Sequence, residues 1–126
     1  MSSEPQTLGF IGLGVMGEPI CRNIAAKSAL PMLAHDVSAA PLERLAADGV
    51  AAAGDVARIA READIVFLSL PGGPQVEEVV LGAGGVLANG RAGQAVVDLS
   101  TTPVEGALWI MHPGTPKAHI MFQPRM

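Results

Sequence analysis

Continuous apolar runs and helical periodicity alternate along the first hundred residues. Residues 7–12 and 63–70 are apolar without alternation, which is typical of strands buried on both faces of a parallel sheet. From about Val15 to Ser28, apolar residues recur every four positions and charged residues lie between them, as in an amphipathic helix. The whole pattern predicts five strands separated by four helices, and therefore an α/β fold with a doubly wound parallel sheet. The predicted strands cover residues 7–12, 31–36, 50–53, 63–70 and 94–100, and the predicted helices cover about 15–28, 38–49, 55–62 and 74–81.

The pattern changes after Pro103. The first 103 residues hold 18 alanines, whereas the last 23 hold two alanines, three prolines, two of the three histidines and the only tryptophan. No helix or strand period extends through those 23 residues. We therefore expect one domain over residues 1–103, followed by a divergent tail over residues 104–126.

Charge and cysteine content narrow the possible partners. Eight Lys+Arg stand against 12 Asp+Glu, a net charge of −4, and the basic residues form no cluster, so a nucleic-acid partner is not expected. No apolar stretch approaches the roughly 20 residues of a membrane span, so no membrane partner is expected either. The single cysteine, Cys21, excludes an internal disulfide. Together with the lack of a recognisable targeting segment, it favours a cytoplasmic location.

Three glycines lie where the first predicted strand meets the first predicted helix, in the sequence GLGVMG of residues 12–17. Gly12 is expected to permit a tight turn, and Gly14 to leave room for a pyrophosphate beside the backbone. Gly17 is expected to let the helix pack closely on the sheet. Free N–H groups at a helix N-terminus bind anions without a basic side chain. The three glycines could be ordinary turn residues. Because they lie between a predicted strand and a predicted helix, we interpret them instead as a dinucleotide-binding fingerprint.

An acidic residue at the end of the second predicted strand fits the same fingerprint. Asp36 follows Gly17 by 19 residues, close to the spacing at which a carboxylate binds the adenosine ribose. A carboxylate there repels a 2′-phosphate, and valine rather than arginine stands at position 37. The sequence therefore predicts NAD as the cofactor and makes NADP less favourable.

Three motifs in this order resemble the β-hydroxyacid dehydrogenases, a family that includes 3-hydroxyisobutyrate dehydrogenase, tartronate semialdehyde reductase and 6-phosphogluconate dehydrogenase. The motifs are GFIGLGVMGEPICRNI from Gly9, LPGGPQVEEVVLGAGGVL from Leu70, and DLSTTP over residues 98–103. The resemblance implies a Rossmann-type NAD(P)-binding domain and hydride transfer between NAD and a small 3-hydroxy acid or semialdehyde. It also implies cofactor contacts, by the backbone at Leu13, Val15 and Met16 for the pyrophosphate and by Leu70, Pro71 and Gln75 on the adenosine side.

The same resemblance places two hydroxyl residues beside the substrate. Ser100 would lie by the substrate carboxylate, and Thr101 would lie near the nicotinamide and contact both ligands. Both lie at the C-terminal end of the fifth predicted strand, where parallel sheets bind ligands. A helix N-cap is the alternative role for these residues.

The family's catalytic lysine lies on an all-helical domain that has no counterpart in residues 104–126. Lys117, His112 and His119 are the tail candidates for a proton acceptor, but none matches the family motif, and the histidine spacing predicts no metal site. We therefore expect no catalytic residue in this chain and interpret it as a dehydrogenase truncated at about five strands, through a frameshift, a premature stop or gene fragmentation. The alternative is a non-catalytic nucleotide-binding or interaction module. An uncovered apolar edge would favour self-association in either case.

Overall fold

The computed structural model describes residues 6–71, 73–90, 93–99, 107–112 and 115–121. Five strands form the parallel part of one sheet: β1 (Leu8–Ile11), β2 (Met32–His35), β3 (Ala51–Ala52), β4 (Ile65–Leu68) and β5 (Ala95–Asp98). The helices are α1 (Gly17–Ser28), α2 (Ala39–Ala46), α3 (Val56–Glu62), α4 (Gly73–Leu81) and α5 (Val86–Asn89). β1 pairs in parallel with both β2 and β4, β2 with β3, and β4 with β5. The predicted doubly wound Rossmann-type sheet with five parallel strands is confirmed.

Two more strands lie in the segment where the sequence showed no helix or strand period. β6 (Ala107–His112) pairs antiparallel with β5, and β7 (Thr115–Met121) pairs antiparallel with β6. The full strand order is β3-β2-β1-β4-β5-β6-β7. The sequence pattern of the tail did not reveal these two strands. The prolines of the tail and a register shift between Leu108 and Trp109 obscure the alternation of apolar and polar residues that is typical of a strand. Strand pairing also depends on the neighbouring edge more than on local pattern.

The sheet carries a separate apolar core on each face. Phe10 of β1 belongs to the core shared with α1 and α2, and its ring lies 6.0 Å from that of Phe67. Ile11, the next residue, belongs to the core shared with α3, α4 and α5. Burial on both faces explains why β1 is apolar without alternation. Cys21 is buried in the first core, where desolvation raises the pKa of its thiol to about 12.

The helix boundaries follow the predicted ones closely, with informative exceptions. The Asp55 side chain accepts the Arg58 N–H at 2.8 Å and caps α3, as predicted. α1 begins at Gly17 rather than near Val15, because residues 14–16 form a turn before it. The four-residue helix α5 was not predicted, since only a glycine-rich turn was expected there. None of the helices in the described ranges is both long and apolar enough to cross a membrane.

Candidate functional site

A cavity of about 840 Å³ lies at the carboxyl ends of the parallel strands. It is lined by residues that follow β1, β2, β4 and β5, with additional residues from α3 and α4. α1 and α2 pack on one face of the sheet and α3 to α5 on the other, so the chain changes face between the neighbouring strands β1 and β4. Ligands of open α/β sheets bind at this kind of topological switch point. The fold thus creates a cleft at the position where the glycine turn begins.

Two of the turn glycines are required by the protein itself. Gly12 has φ +101°, and a Cβ there would lie closer than 3.0 Å to the carbonyl oxygen of Ser69. A Cβ on Gly17 would collide in the same way with the carbonyl oxygen of Gly12. Because backbone atoms cannot easily move aside, both positions exclude larger residues. These glycines hold α1 tightly against the ends of β1 and β4.

Gly14 has no such requirement. A Cβ on Gly14 would meet nothing within 4 Å, although Gly14 lines the cavity. The packing of the described residues therefore does not explain why this position is a glycine. A group that approaches the backbone from the cavity would explain it.

Three amides of the turn also have no partner among the residues that the structure describes. The Gly12 N–H donates to the His35 carbonyl at 3.0 Å, and the Leu13 N–H donates to Asp36 Oδ1 at 2.8 Å. Among the described residues, no acceptor takes the N–H groups of residues 14, 15 and 16. The side chains of Val15 and Met16 are exposed, and all three residues line the cavity. Unpaired amides at the N-terminus of a twelve-residue helix form an anion site.

The Asp36 carboxylate joins the end of β2 to the glycine turn. Its Oδ1 accepts the Leu13 N–H, and its Oδ2 accepts the Ser38 N–H at 3.0 Å. Each carboxylate oxygen can accept a further hydrogen bond, and Asp36 lines the cavity. The residue therefore has both a structural role and free acceptor capacity beside the proposed ligand.

The structure brings most of the sequence-predicted residues together around this cavity. The turn of residues 12–17, Asp36, Leu70, Pro71 and Gln75 all line it. Ser100 and Thr101 lie outside the described residues. Leu99, which precedes them, lines the cavity beyond the end of β5.

A family model described as the NAD binding domain of 6-phosphogluconate dehydrogenase matches residues 7–118. The 2-(hydroxymethyl)glutarate dehydrogenase of Eubacterium barkeri is 38% identical over 101 residues, which are 80% of this chain and 33% of that enzyme. The structure of a Mycobacterium tuberculosis 3-hydroxyisobutyrate dehydrogenase with L-serine matches with a TM-score of 0.70 and 31% identity. The match covers 80% of this chain and 33% of that enzyme's chain. The structure of Psf3 in complex with NADP+ and 2-OPP matches with a TM-score of 0.68 and 37% identity. The match covers 75% of this chain and 33% of the Psf3 chain.

The chain belongs to this NAD-binding-domain family. The resemblance to 3-hydroxyisobutyrate dehydrogenase and its relatives, expected from the three motifs, is confirmed. The NAD-binding domain spans about a third of the length of the curated relatives it matches. The family match ends at residue 118 and so extends beyond Pro103, where the sequence pattern changes.

Several residues of the NAD-binding domain at the cavity were not predicted from the sequence. From the sequence His35 could either border the cofactor or face solvent, with solvent favoured; in the structure it is half-buried, its Nδ1 lies 3.4 Å from the Ala53 carbonyl oxygen, and it lines the cavity. Glu78 and Val79 of α4 and the turn of residues 82–85 also line it. For His35 the available signal was its position at the end of β2, since the ends of parallel strands gather at one edge of a sheet.

The Glu18 carboxylate is bound by two arginines. Its Oε2 and Oε1 accept Arg44 Nε at 2.8 Å and Arg44 Nη2 at 2.7 Å, and Oε2 also accepts Arg22 Nη2 at 2.9 Å. These hydrogen bonds, first to Arg44 and then to Arg22, lower the pKa of Glu18 from 4.5 to about 2. Arg22 Nε also donates to Asp48 at 2.9 Å. The described residues hold no cluster of metal-ligating side chains.

Proposed function

We propose that this domain binds NAD(H), with the diphosphate on the amides of residues 14–16. The observation that carries the proposal is the open space at Gly14, in a cavity lined by amides without protein partners. Those groups and the helix dipole supply the positive potential that the acidic composition of the chain does not. A diphosphate is the ligand whose shape and charge fit a glycine turn at a switch point.

We further propose that NAD is preferred over NADP. The Asp36 carboxylate accepts ribose hydroxyls and repels a 2′-phosphate, and the exposed residue beside it is Val37. Psf3 is seen with NADP+, so its likeness to this chain does not argue for NAD, and the preference rests on Asp36 and Val37 alone. Calorimetric titration of the purified chain with NADH and with NADPH tests it, and tighter binding of NADPH would contradict it.

The proposed positions of the diphosphate and the ribose also indicate where the adenosine and the substrate would bind. Leu70, Pro71 and Gln75 line the cavity after β4, which suits the adenosine side. Ser100 and Thr101 follow β5 along the chain, and we propose that they bind a small 3-hydroxy acid or semialdehyde next to the nicotinamide. The names of two relatives, 2-(hydroxymethyl)glutarate dehydrogenase and 3-hydroxyisobutyrate dehydrogenase, support this substrate class. When bound, the nicotinamide supplies the hydride-transfer chemistry.

Gly14→Val tests the diphosphate site. The added side chain would occupy open space in the cavity, so we expect the fold to persist and NADH binding to be lost. Gly54→Val is the matched control, because a Cβ on Gly54 also meets nothing within 4 Å and Gly54 is not among the residues that line the cavity. Unchanged NADH affinity in a folded Gly14→Val variant would contradict the proposed site.

A further inference from the structure

A second hollow, of about 300 Å³, adjoins the cavity at Asp36. It shares Leu13, Gly14 and Val15 with the cavity, and Ser38, Pro41, Glu18 and Arg44 complete its wall. If the ribose hydroxyls bind to the Asp36 carboxylate, as proposed above, a substituent on the 2′ oxygen extends into this hollow. A dinucleotide without the 2′-phosphate leaves it empty.

The charges on the wall of the hollow oppose a phosphate. Its described ionic side chains are the carboxylates of Glu18 and Asp36 and the guanidinium of Arg44, a net of one negative charge. Arg44 is the group suited to a phosphate, because a guanidinium presents parallel N–H donors that bind two oxygens at once. The Nε–Nη2 edge of that guanidinium is already occupied, since both atoms donate to the Glu18 carboxylate, whose charge also neutralises that of Arg44.

The Glu18–Arg44 pair is held by more than one contact. The Glu18 side chain is only 12% exposed, whereas that of Arg44 is 58% exposed. Arg22 donates to Glu18 from the same helix and is itself bound by Asp48. Glu18 is thus fixed in place, and the more exposed Arg44 is the partner that would move if the pair were broken.

We propose that Glu18 is a cofactor-specificity residue that acts through Arg44: it occupies the Nε–Nη2 edge of Arg44, neutralises its charge and so keeps the hollow beside Asp36 unfavourable to a 2′-phosphate. The inference rests on the proposed dinucleotide site. It adds that the preference against NADP comes from α1 and α2 as well as from Asp36. Removal of the Glu18 charge frees an arginine that the sequence already contains.

Titrations of the full 126-residue chain with NADH and with NADPH test this role. In Glu18→Gln the amide replaces the carboxylate with nearly the same shape, and we expect NADPH affinity to rise by about tenfold while NADH affinity changes little. The gain should shrink with added salt, because the freed guanidinium is near the surface. In the double variant Glu18→Gln/Arg44→Met the gain should disappear.

Two further variants make the result decisive. Glu62→Gln breaks a comparable exposed pair, Arg58–Glu62 on α3, and neither residue is among those lining the cavity or the hollow. It should leave the ratio of the two affinities unchanged. Glu18→Ala provides the same test as Glu18→Gln if the amide variant does not fold.

The outcomes separate this inference from the proposed function. An unchanged affinity ratio in a folded Glu18 variant that binds NADH normally contradicts the role of Glu18 alone. A gain that persists without Arg44 also contradicts it. If the folded wild-type chain binds neither dinucleotide, the proposed function fails and this inference fails with it.

Discussion

Gly14 and Gly17 lie three residues apart in the same turn but have different reasons to be glycine. A Cβ on Gly17 would collide with the Gly12 carbonyl oxygen, whereas a Cβ on Gly14 would meet nothing within 4 Å. We therefore expect Gly17→Ala to lower the free energy of unfolding by about 1–3 kcal/mol, the usual cost of overpacking. Gly14→Ala should change it by no more than about 0.5 kcal/mol. Urea unfolding of both variants checks this difference, and equal losses of stability would contradict it.

Asp36 has a structural role that can be measured without any ligand. Its carboxylate accepts the N–H groups of Leu13 and Ser38, and Leu13 is buried. Asp36→Ala leaves the Leu13 N–H without its acceptor, so we expect the free energy of unfolding to fall by about 1–3 kcal/mol. Asp36→Asn keeps one oxygen acceptor and should lose less. A thermal melt of Asp36→Ala that matches the wild type would contradict this structural role.

Single residues were predictable where a spacing rule exists. The spacing of Gly12, Gly14 and Gly17 predicted the turn. The dinucleotide-binding fingerprint predicted an acidic residue about 20 positions further on, and Asp36 lies there, directly after β2. The hydrogen bond from the Leu13 N–H to Asp36 was not predictable, because it depends on how far β2 extends beside β1 in the folded sheet. Glu18 and Arg44 are 26 residues apart, and no local pattern indicates that they meet.

The contact between α1 and α2 depends on ionisation of Glu18. Because the pKa of Glu18 is lowered from 4.5 to about 2 by Arg44 and Arg22, its contribution to stability is fully present above pH 4.5. That contribution is lost as the pH falls through about 2. We expect Glu18→Gln to be less stable than the wild type above pH 4.5 and the difference to shrink below it. Urea midpoints measured across this range check the prediction, and a difference independent of pH would contradict it.

Elements were predictable in proportion to how strongly their own residues determine them. β1 and β4 are continuous apolar runs, and α1 has a clear amphipathic period, so these elements were placed within two or three residues of their ends. β6 and β7 pair with the edge of β5 and with each other. Such pairing is a tertiary effect that local periodicity does not report. α5 is only four residues long, too short for a helical period to be recognised.

The cleft depends on the fold of the whole molecule, because it forms where the ends of four strands meet. Helices cover the two faces of the sheet on opposite sides of the β1–β4 boundary, and the cleft opens there because the chain leaves these neighbouring strands in opposite directions. The sequence indicated this arrangement through the order of its elements. It did not indicate that α4 and the turn of residues 82–85 close one side of the cleft, because that depends on how α4 lies across the sheet.

The last prediction concerns what the whole chain does with its ligands. A ligand that binds the native state alone at a hundred times its Kd stabilises that state by about 2.7 kcal/mol, which for a domain of this size corresponds to a Tm increase of about 10 °C. We expect this increase with NADH and none with 3-hydroxyisobutyrate alone. We also expect no reduction of NAD by the chain, since the proton acceptor that the family resemblance implies lies on a helical domain without a counterpart in these residues. The Gly14→Val variant is the control for the NADH effect, and NADH formation by the 126-residue chain would contradict the expected lack of turnover.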